Sequence, residues 1–320
     1  MEKETPIQSL SRKWVEFKII LENVLFSLSA IPWFILNLLE YYRADATFVK
    51  KDVKYGPGNR NFLNIYLPTL QETLCPVVLF VHGGIWIQGD KKLYHRLGEH
   101  FRRNGIICVI VNYTLYPNGL FERMNNDINM AVDWTIKNIS RFNGDCNRVT
   151  LLGHSAGAHL LSLSLVNKAL SEAKGDKGDW SLSDIHAFIA MSGVYDLVTH
   201  YEYEKVKSIH IVSPMWKASS GVDRLNLFSP ILLLKSVKSK FSDFPNTYLY
   251  HGTKDIRCPP IQTRLLHEAL ADVVNESQTV KLVELEGWEH SDLITSFIGM
   301  YFDEGKMNRM WSELKNIIKQ

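Results

Sequence analysis

Cysteine is scarce in this chain of 320 residues: there are four, Cys75, Cys108, Cys146 and Cys258, and no two form a CxxC pair. Their spacing fits no zinc pattern, so small buried thiols are expected, and low cysteine use favours a reducing compartment. An excess of charge is also missing. The 36 basic and 34 acidic side chains nearly cancel, leaving +2, so composition gives no reason to expect a nucleic-acid partner. Repeats, low-complexity tracts and long flexible linkers are absent as well. What remains, 46% hydrophobic and 22% charged residues, is the composition of an ordinary globular protein long enough for one large domain or two small ones.

One long uncharged run stands near the N-terminus. From Asn23 to Leu39 (NVLFSLSAIPWFILNLL) no charge occurs, and seventeen residues is the lower edge of a membrane span. Glu22 and Glu40 bracket the run, Pro32 interrupts it, and Trp33, Tyr41 and Tyr42 suit interfacial anchors. The run starts late and no small-residue cleavage site follows cleanly, unlike a secretory signal. Two readings stay open. One is a helix embedded in or lying on a membrane, which points to the endoplasmic reticulum. The other is an apolar helix pair packed on the rest of the protein, compatible with the cytoplasm. Residues 1–45 are therefore set apart as an N-terminal apolar segment, and 46–320 as one catalytic domain.

Within that domain, short apolar runs alternate with helical spacing. FLNIYLP (62–68), PVVLFVH (76–82), IICVIVN (106–112), VTLLG (149–153), HAFIAMS (186–192), NTYLYHG (246–252) and TVKLVEL (279–285) read as strands. Residues 124–139, 156–170 and 260–274 read as helices, and the tail ends in an amphipathic one. Strands alternating with helices imply a mostly parallel sheet covered on both faces, an α/β fold. Residues 194–245 are too long for a simple connection and read as a lid-like insertion over the carboxyl ends of the strands.

The chemistry concentrates in four short segments. Gly153-His154-Ser155-Ala156-Gly157 stands between a strand and a helix, the setting in which G-x-S-x-G forms a nucleophile elbow. There Ser155 is raised above the sheet, and the helix N-terminus offers N–H groups to a developing oxyanion. His154 is read as a supporting residue. In VHGGIWIQGD (81–90), Gly83 and Gly84 have no side chain to block a carbonyl, and with the N–H of Ala156 they are the candidate oxyanion hole. Trp86 and Asp90 are expected to anchor that loop. A serine hydroxyl needs a base of near-neutral pKa. In the chain order nucleophile, acid, histidine, His290 of GWEHSDL follows the last strand, and Asp255 of YHGTKDIRCPP follows the one before. His251, the nearest rival base, is read as structural.

HGGIW, GHSAGAH, HGTKD and EHSDL, in this order, resemble the HGG-bearing esterase branch of the α/β-hydrolase superfamily over about residues 50–300. The resemblance implies a catalytic triad of Ser155, Asp255 and His290, an oxyanion hole of Gly83, Gly84 and Ala156, and chemistry that needs no metal and no organic cofactor. Within the branch the chain is similar to isoprenylcysteine methylesterases, whose hydrophobic N-terminal helices are associated with endomembranes, and to kynurenine formamidases. Trp288 and Glu289 before His290, and Cys258, depart from the methylesterase pattern. The expected function is a serine carboxylesterase acting on a prenylcysteine methyl ester-like substrate through an acyl-enzyme. The alternatives are a formamidase-like amide hydrolase, a lipase and a non-catalytic binding protein of the same fold.

Overall fold

The computed structural model describes residues 32, 34–69, 72–176, 178–237, 239–298 and 304–320. Eight strands form one sheet: β1 (Val49–Lys54), β2 (Phe62–Tyr66), β3 (Cys75–Val81), β4 (Ile107–Val111), β5 (Gly144–His154), β6 (Ile185–Met191), β7 (Asn246–Gly252) and β8 (Val280–Leu285). Their spatial order is β1-β2-β4-β3-β5-β6-β7-β8. The first two pairings, β1 with β2 and β2 with β4, are antiparallel, and the other five are parallel.

Burial explains which strands are uniformly apolar. All seven residues of β3 (CPVVLFV) and all five of β4 (ICVIV) are buried, because helices cover both faces of the parallel part. Successive side chains of β3 serve two separate cores, Val77, Leu79 and Val81 on one face and Val78 and Phe80 on the other. β1 (VKKDVK) is an edge strand with a register shift between Lys50 and Val53, where charged residues discourage further pairing.

The helices follow in chain order: α1 (34–43), α2 (His95–Arg103), α3 (Phe121–Asn138), α4 (Ala156–Glu172), α5 (Leu197–Val206), α6 (Met215–Ala218), α7 (Pro230–Leu234), α8 (Ile261–Val273), α9 (Asp292–Ile298) and α10 (Glu304–Lys319). Ile128 and Val132 of α3, Leu161 and Leu165 of α4 and Leu266 and Leu270 of α8 fill the first core. Leu97 and Phe101 of α2, Leu293 and Phe297 of α9 and Met310 and Leu314 of α10 fill the second.

Between β6 and β7 the chain holds α5, α6, a 3-10 stretch Val222–Phe228 and α7. Met215, Leu225, Phe228 and Ile231 there belong to the first core, so this 194–245 region is packed onto the body of the protein. The strand order reverses at β3, which lies between β4 and β5. In open parallel sheets the crevice at such a reversal, at the carboxyl ends of the strands, is where ligands bind.

Residues 23–31 and Trp33 of the uncharged run lie outside the described residues. Its remainder lies in α1, which packs on α2: Asn37 and Tyr41 are buried, the N–H of Arg96 donates to Asn37 Oδ1 at 3.2 Å, and the Arg96 guanidinium makes two 2.7 Å bonds to Glu40. Ile35, Leu39 and Tyr42, spaced by four and three residues, face outward. Among the described residues no helix is long and apolar enough to cross a membrane.

Candidate active site

Ser155 stands alone between the end of β5 and the start of α4, with φ 52° and ψ −121°. A non-glycine residue in that region costs on the order of 1–3 kcal/mol and persists only when its surroundings over-determine it. Here they do. The Ser155 N–H donates to Met191 O of β6 at 2.8 Å. A Cβ on Gly157 would lie 2.1 Å from the Val81 carbonyl oxygen, and one on Gly153 would lie 2.7 Å from the backbone of Ala158. The two glycines thus let α4 sit against the ends of β3 and β5, and the turn between them lifts the serine.

His290 lies in the turn between β8 and α9. Its Nε2 is 3.0 Å from Ser155 Oγ, 135 residues away in the chain, and its Nδ1 is 2.7 Å from Asp255 Oδ2. Asp255 follows β7. Its Oδ1 accepts the backbone N–H groups of Arg257 and Cys258, both at 2.9 Å. Its Oδ2 also faces His251 Nε2 at 3.0 Å. Burial alone would raise the Asp255 carboxyl, but the adjacent His290 and the hydrogen bonds from His251 and His290 outweigh it and hold the group well below the usual carboxylate range. An ionised Asp255 fixes the proton of His290 on Nδ1 and leaves Nε2 to accept the Ser155 O–H.

Two further histidines brace this row. His251 is fully buried, with Nδ1 2.5 Å from Thr263 Oγ1, and it touches the acid, with no bond to the serine. His154 donates from Nε2 to the backbone carbonyl of His290 at 3.1 Å. Burial, and then the neighbouring His290, push the His154 imidazole down to about 3, so it acts as a neutral strut.

The loop after β3 runs beside the serine. A Cβ on Gly83 would lie 2.9 Å from Ser155 Cβ. Gly84, Ile85 and Trp86 have φ of 122°, 45° and 62°, three consecutive left-handed residues. Among the described residues the N–H groups of Gly83, Gly84 and Ala156 have no intramolecular acceptor. Amides so disposed beside a hydroxyl can receive a developing negative charge. Asp90 holds the far end of the loop, capping Lys92 N at 3.0 Å and accepting from Asn112 Nδ2 at 2.8 Å. Arg60 donates to Gly89 O at 2.8 Å. Trp86 is buried edge-on against Phe121. Among the described residues no group of three or more His, Cys, Asp or Glu side chains is arranged to hold a metal ion. The four cysteines are free thiols.

The structure thus brings Ser155, His290 and Asp255 into one row and sets Gly83, Gly84 and Ala156 beside it. Sequence reasoning assigned no part to His159, the last residue of GHSAGAH. Its signal is its place one helical turn beyond the serine.

Residues 63–270 match the BD-FAE family. The chain is 33% identical over 247 residues to Probable isoprenylcysteine alpha-carbonyl methylesterase ICMEL2 of Arabidopsis thaliana, covering 77% of this chain and 58% of that protein. It is 32% identical to Isoprenylcysteine alpha-carbonyl methylesterase ICME of the same plant, covering 84% and 62%. The chain therefore spans about three fifths of the length of these relatives. Among solved structures, inhibited esterase B from Lactobacillus rhamnosis superposes with a TM-score of 0.69 at 19% identity, covering 94% of this chain and 97% of that one. The sheet order and flanking helices are those of the α/β-hydrolase fold.

Proposed function

This chain belongs to the BD-FAE family, and from that premise we propose that it is a serine carboxylesterase whose nucleophile is Ser155. The observation that carries the reading is the row Ser155 Oγ–His290 Nε2 at 3.0 Å and His290 Nδ1–Asp255 Oδ2 at 2.7 Å. Ser155 Oγ attacks the ester carbonyl carbon as its proton passes to His290 Nε2. The carbonyl oxygen becomes an oxyanion that accepts from the N–H groups of Gly83, Gly84 and Ala156. Collapse expels the alcohol, which takes the proton from Nε2 and leaves an acyl-enzyme. Water, deprotonated by the same nitrogen, attacks the acyl carbon and releases the acid and Ser155. Asp255 stays ionised and stabilises the imidazolium in both halves.

For the substrate we infer a prenylcysteine methyl ester-like compound, supported by the two Arabidopsis methylesterases at about one-third identity. Membrane attachment through residues 23–39 belongs to the same reading, and the outward Ile35, Leu39 and Tyr42 of α1 support it. A substrate panel tests the proposal: a farnesylcysteine methyl ester, N-formylkynurenine, and p-nitrophenyl esters of short and long acids. The expected result is the highest kcat/KM for the methyl ester, with turnover lost in Ser155→Ala. A preference for N-formylkynurenine would overturn the substrate assignment, and unchanged turnover in Ser155→Ala would overturn the mechanism.

A further inference from the structure

His159 lies on α4 one turn beyond Ser155, and its backbone N–H donates to Ser155 O at 3.0 Å. Its side chain is completely buried. The indole Nε1–H of Trp86 donates to His159 Nδ1 at 3.2 Å, and His159 Nε2 donates to the Phe228 carbonyl at 2.8 Å. A neutral imidazole has one donor and one acceptor, so these two bonds satisfy the ring completely and define its tautomer. Burial pushes the group down to about 4, which keeps it neutral across the working range of an esterase. The ring stands edge-on to Trp86 at 5.3 Å, and Phe121 contacts His159, Trp86 and Phe228 at the same centroid distance.

The three segments that meet at this ring do different jobs. Trp86 ends the run of left-handed residues in the candidate oxyanion loop. α4 begins at Ala156, directly after the nucleophile. Phe228 belongs to the region between β6 and β7. A β-branched residue such as Ile85 at φ 45° is a strained arrangement that needs outside support. The loop's own bonds, Ile87 and Gln88 N–H to Gly84 O at 3.1 Å, close the turn without fixing it relative to Ser155. The Tyr116 N–H, donating to Trp86 O at 2.9 Å, ties the loop to the chain after β4, and the Trp86–His159 bond ties it to α4.

We propose that His159 is a positioning residue: through Trp86 it fixes the amides of Gly83 and Gly84 relative to Ser155, and through Phe228 it ties that geometry to the 194–245 region. This rests on the esterase reading. It assigns His159 no contact with substrate and no proton transfer. Its contribution is the placement of two donors, where an error of about 1 Å costs on the order of 100-fold.

The test compares His159→Phe, which keeps a ring but removes both hydrogen bonds, with His159→Gln, whose amide offers an acceptor oxygen and a donor NH2 group. With p-nitrophenyl butyrate, His159→Phe is expected to lower kcat about 10–100-fold with KM changed less than about 3-fold. Affinity for a trifluoromethyl ketone, which forms a tetrahedral adduct, should fall by the same factor, and the pH dependence of kcat/KM should not move. His159→Gln is expected to recover most of kcat. If His159→Phe fails to fold, Trp86→Phe, which deletes only the donating N–H and a ring, carries the test with the same expected kcat loss. A kcat within twofold of wild type, a change confined to KM, or a glutamine variant no better than phenylalanine would overturn the proposal. Wild-type protein without turnover would overturn the esterase reading instead. Hydrogen exchange at the amides of residues 83–88 would then decide: faster exchange in His159→Phe supports the brace, and equal exchange overturns it.

Discussion

Gly157, two residues past the nucleophile, has no room for a side chain. A methyl there would sit 2.1 Å from the Val81 carbonyl oxygen, a clash with backbone that no rotamer relieves. Gly157→Ala is expected to destabilise the protein by on the order of 3 kcal/mol or more, read as a lower Tm or loss of soluble protein. Wild-type stability in this variant would contradict the close approach of α4 to β3. Asp255 shows a different sensitivity. Three donors besides His290 converge on its carboxylate, so Asp255→Asn puts an amide where only an acceptor fits. The expected loss is about 10³–10⁴ in kcat, by the tautomer argument established for serine proteases. Steady-state kinetics on folded variant protein checks it, and a loss below tenfold would contradict the assigned role.

At the scale of elements, α5 carries a buried polar pair whose charge state is not what proximity suggests. His200 Nε2 lies 3.7 Å from Glu204 Oε1. Burial raises Glu204 to about 7, against the Ser213 hydroxyl that donates to it. Burial, and then His290, lower His200 to about 4. Between those values both groups are neutral, so the contact is no salt bridge. The folded state keeps a proton on Glu204 that the unfolded chain releases near 4.5. The Glu204 contribution to stability therefore falls as pH rises from about 4.5 to about 7, while that of His200, lowered from 6.5 to about 4, runs in the opposite sense. Glu204→Gln lacks this loss. Its Tm relative to wild type is expected to be higher at pH 8 than at pH 5, by about 2–4 °C, and the same offset at both pH values would contradict it.

The elements also show what a sequence exposes. β3, β4 and β6 are legible because strands buried on both faces must be continuously apolar, whereas β8 (VKLVEL), an edge strand with Lys281 and Glu284, is legible by its alternation. β1 is not, since VKKDVK is an edge strand whose four charged residues hide its pairing. α2 (HRLGEHFRR) escapes notice because Leu97 and Phe101, both buried, are its only large apolar residues. Ser155, Asp255 and His290 are legible through turn chemistry and chain order. The links made by His159, His251 and His154 are not, because they join segments that only the folded chain brings together.

For the whole molecule, the packing of α1 on α2 sets what a truncation costs. A cut after residue 45 would remove Asn37 and Tyr41, both buried, and break the contacts of Arg96 with Asn37 and Glu40. The exposed ion pair itself contributes at most about 1 kcal/mol; the buried tyrosine contributes more, on the order of 1.5–3 kcal/mol. Removing residues 1–31 is expected to leave Ser155-dependent turnover and Tm near full-length values while reducing sedimentation with membrane vesicles. Removing 1–45 is expected to lower Tm as well. Equal sedimentation of the full-length and 32–320 proteins would contradict attachment through the uncharged run.

Ester hydrolysis by this chain depends, in the proposed mechanism, on the hydroxyl at 155 being activated by the row behind it. Labelling with a fluorophosphonate, followed by mass mapping of the adduct, measures that directly. The expected result is one adduct per chain, on Ser155, absent in Ser155→Ala and formed far more slowly in His290→Ala. An unlabelled wild-type protein, or label on another residue, would contradict it.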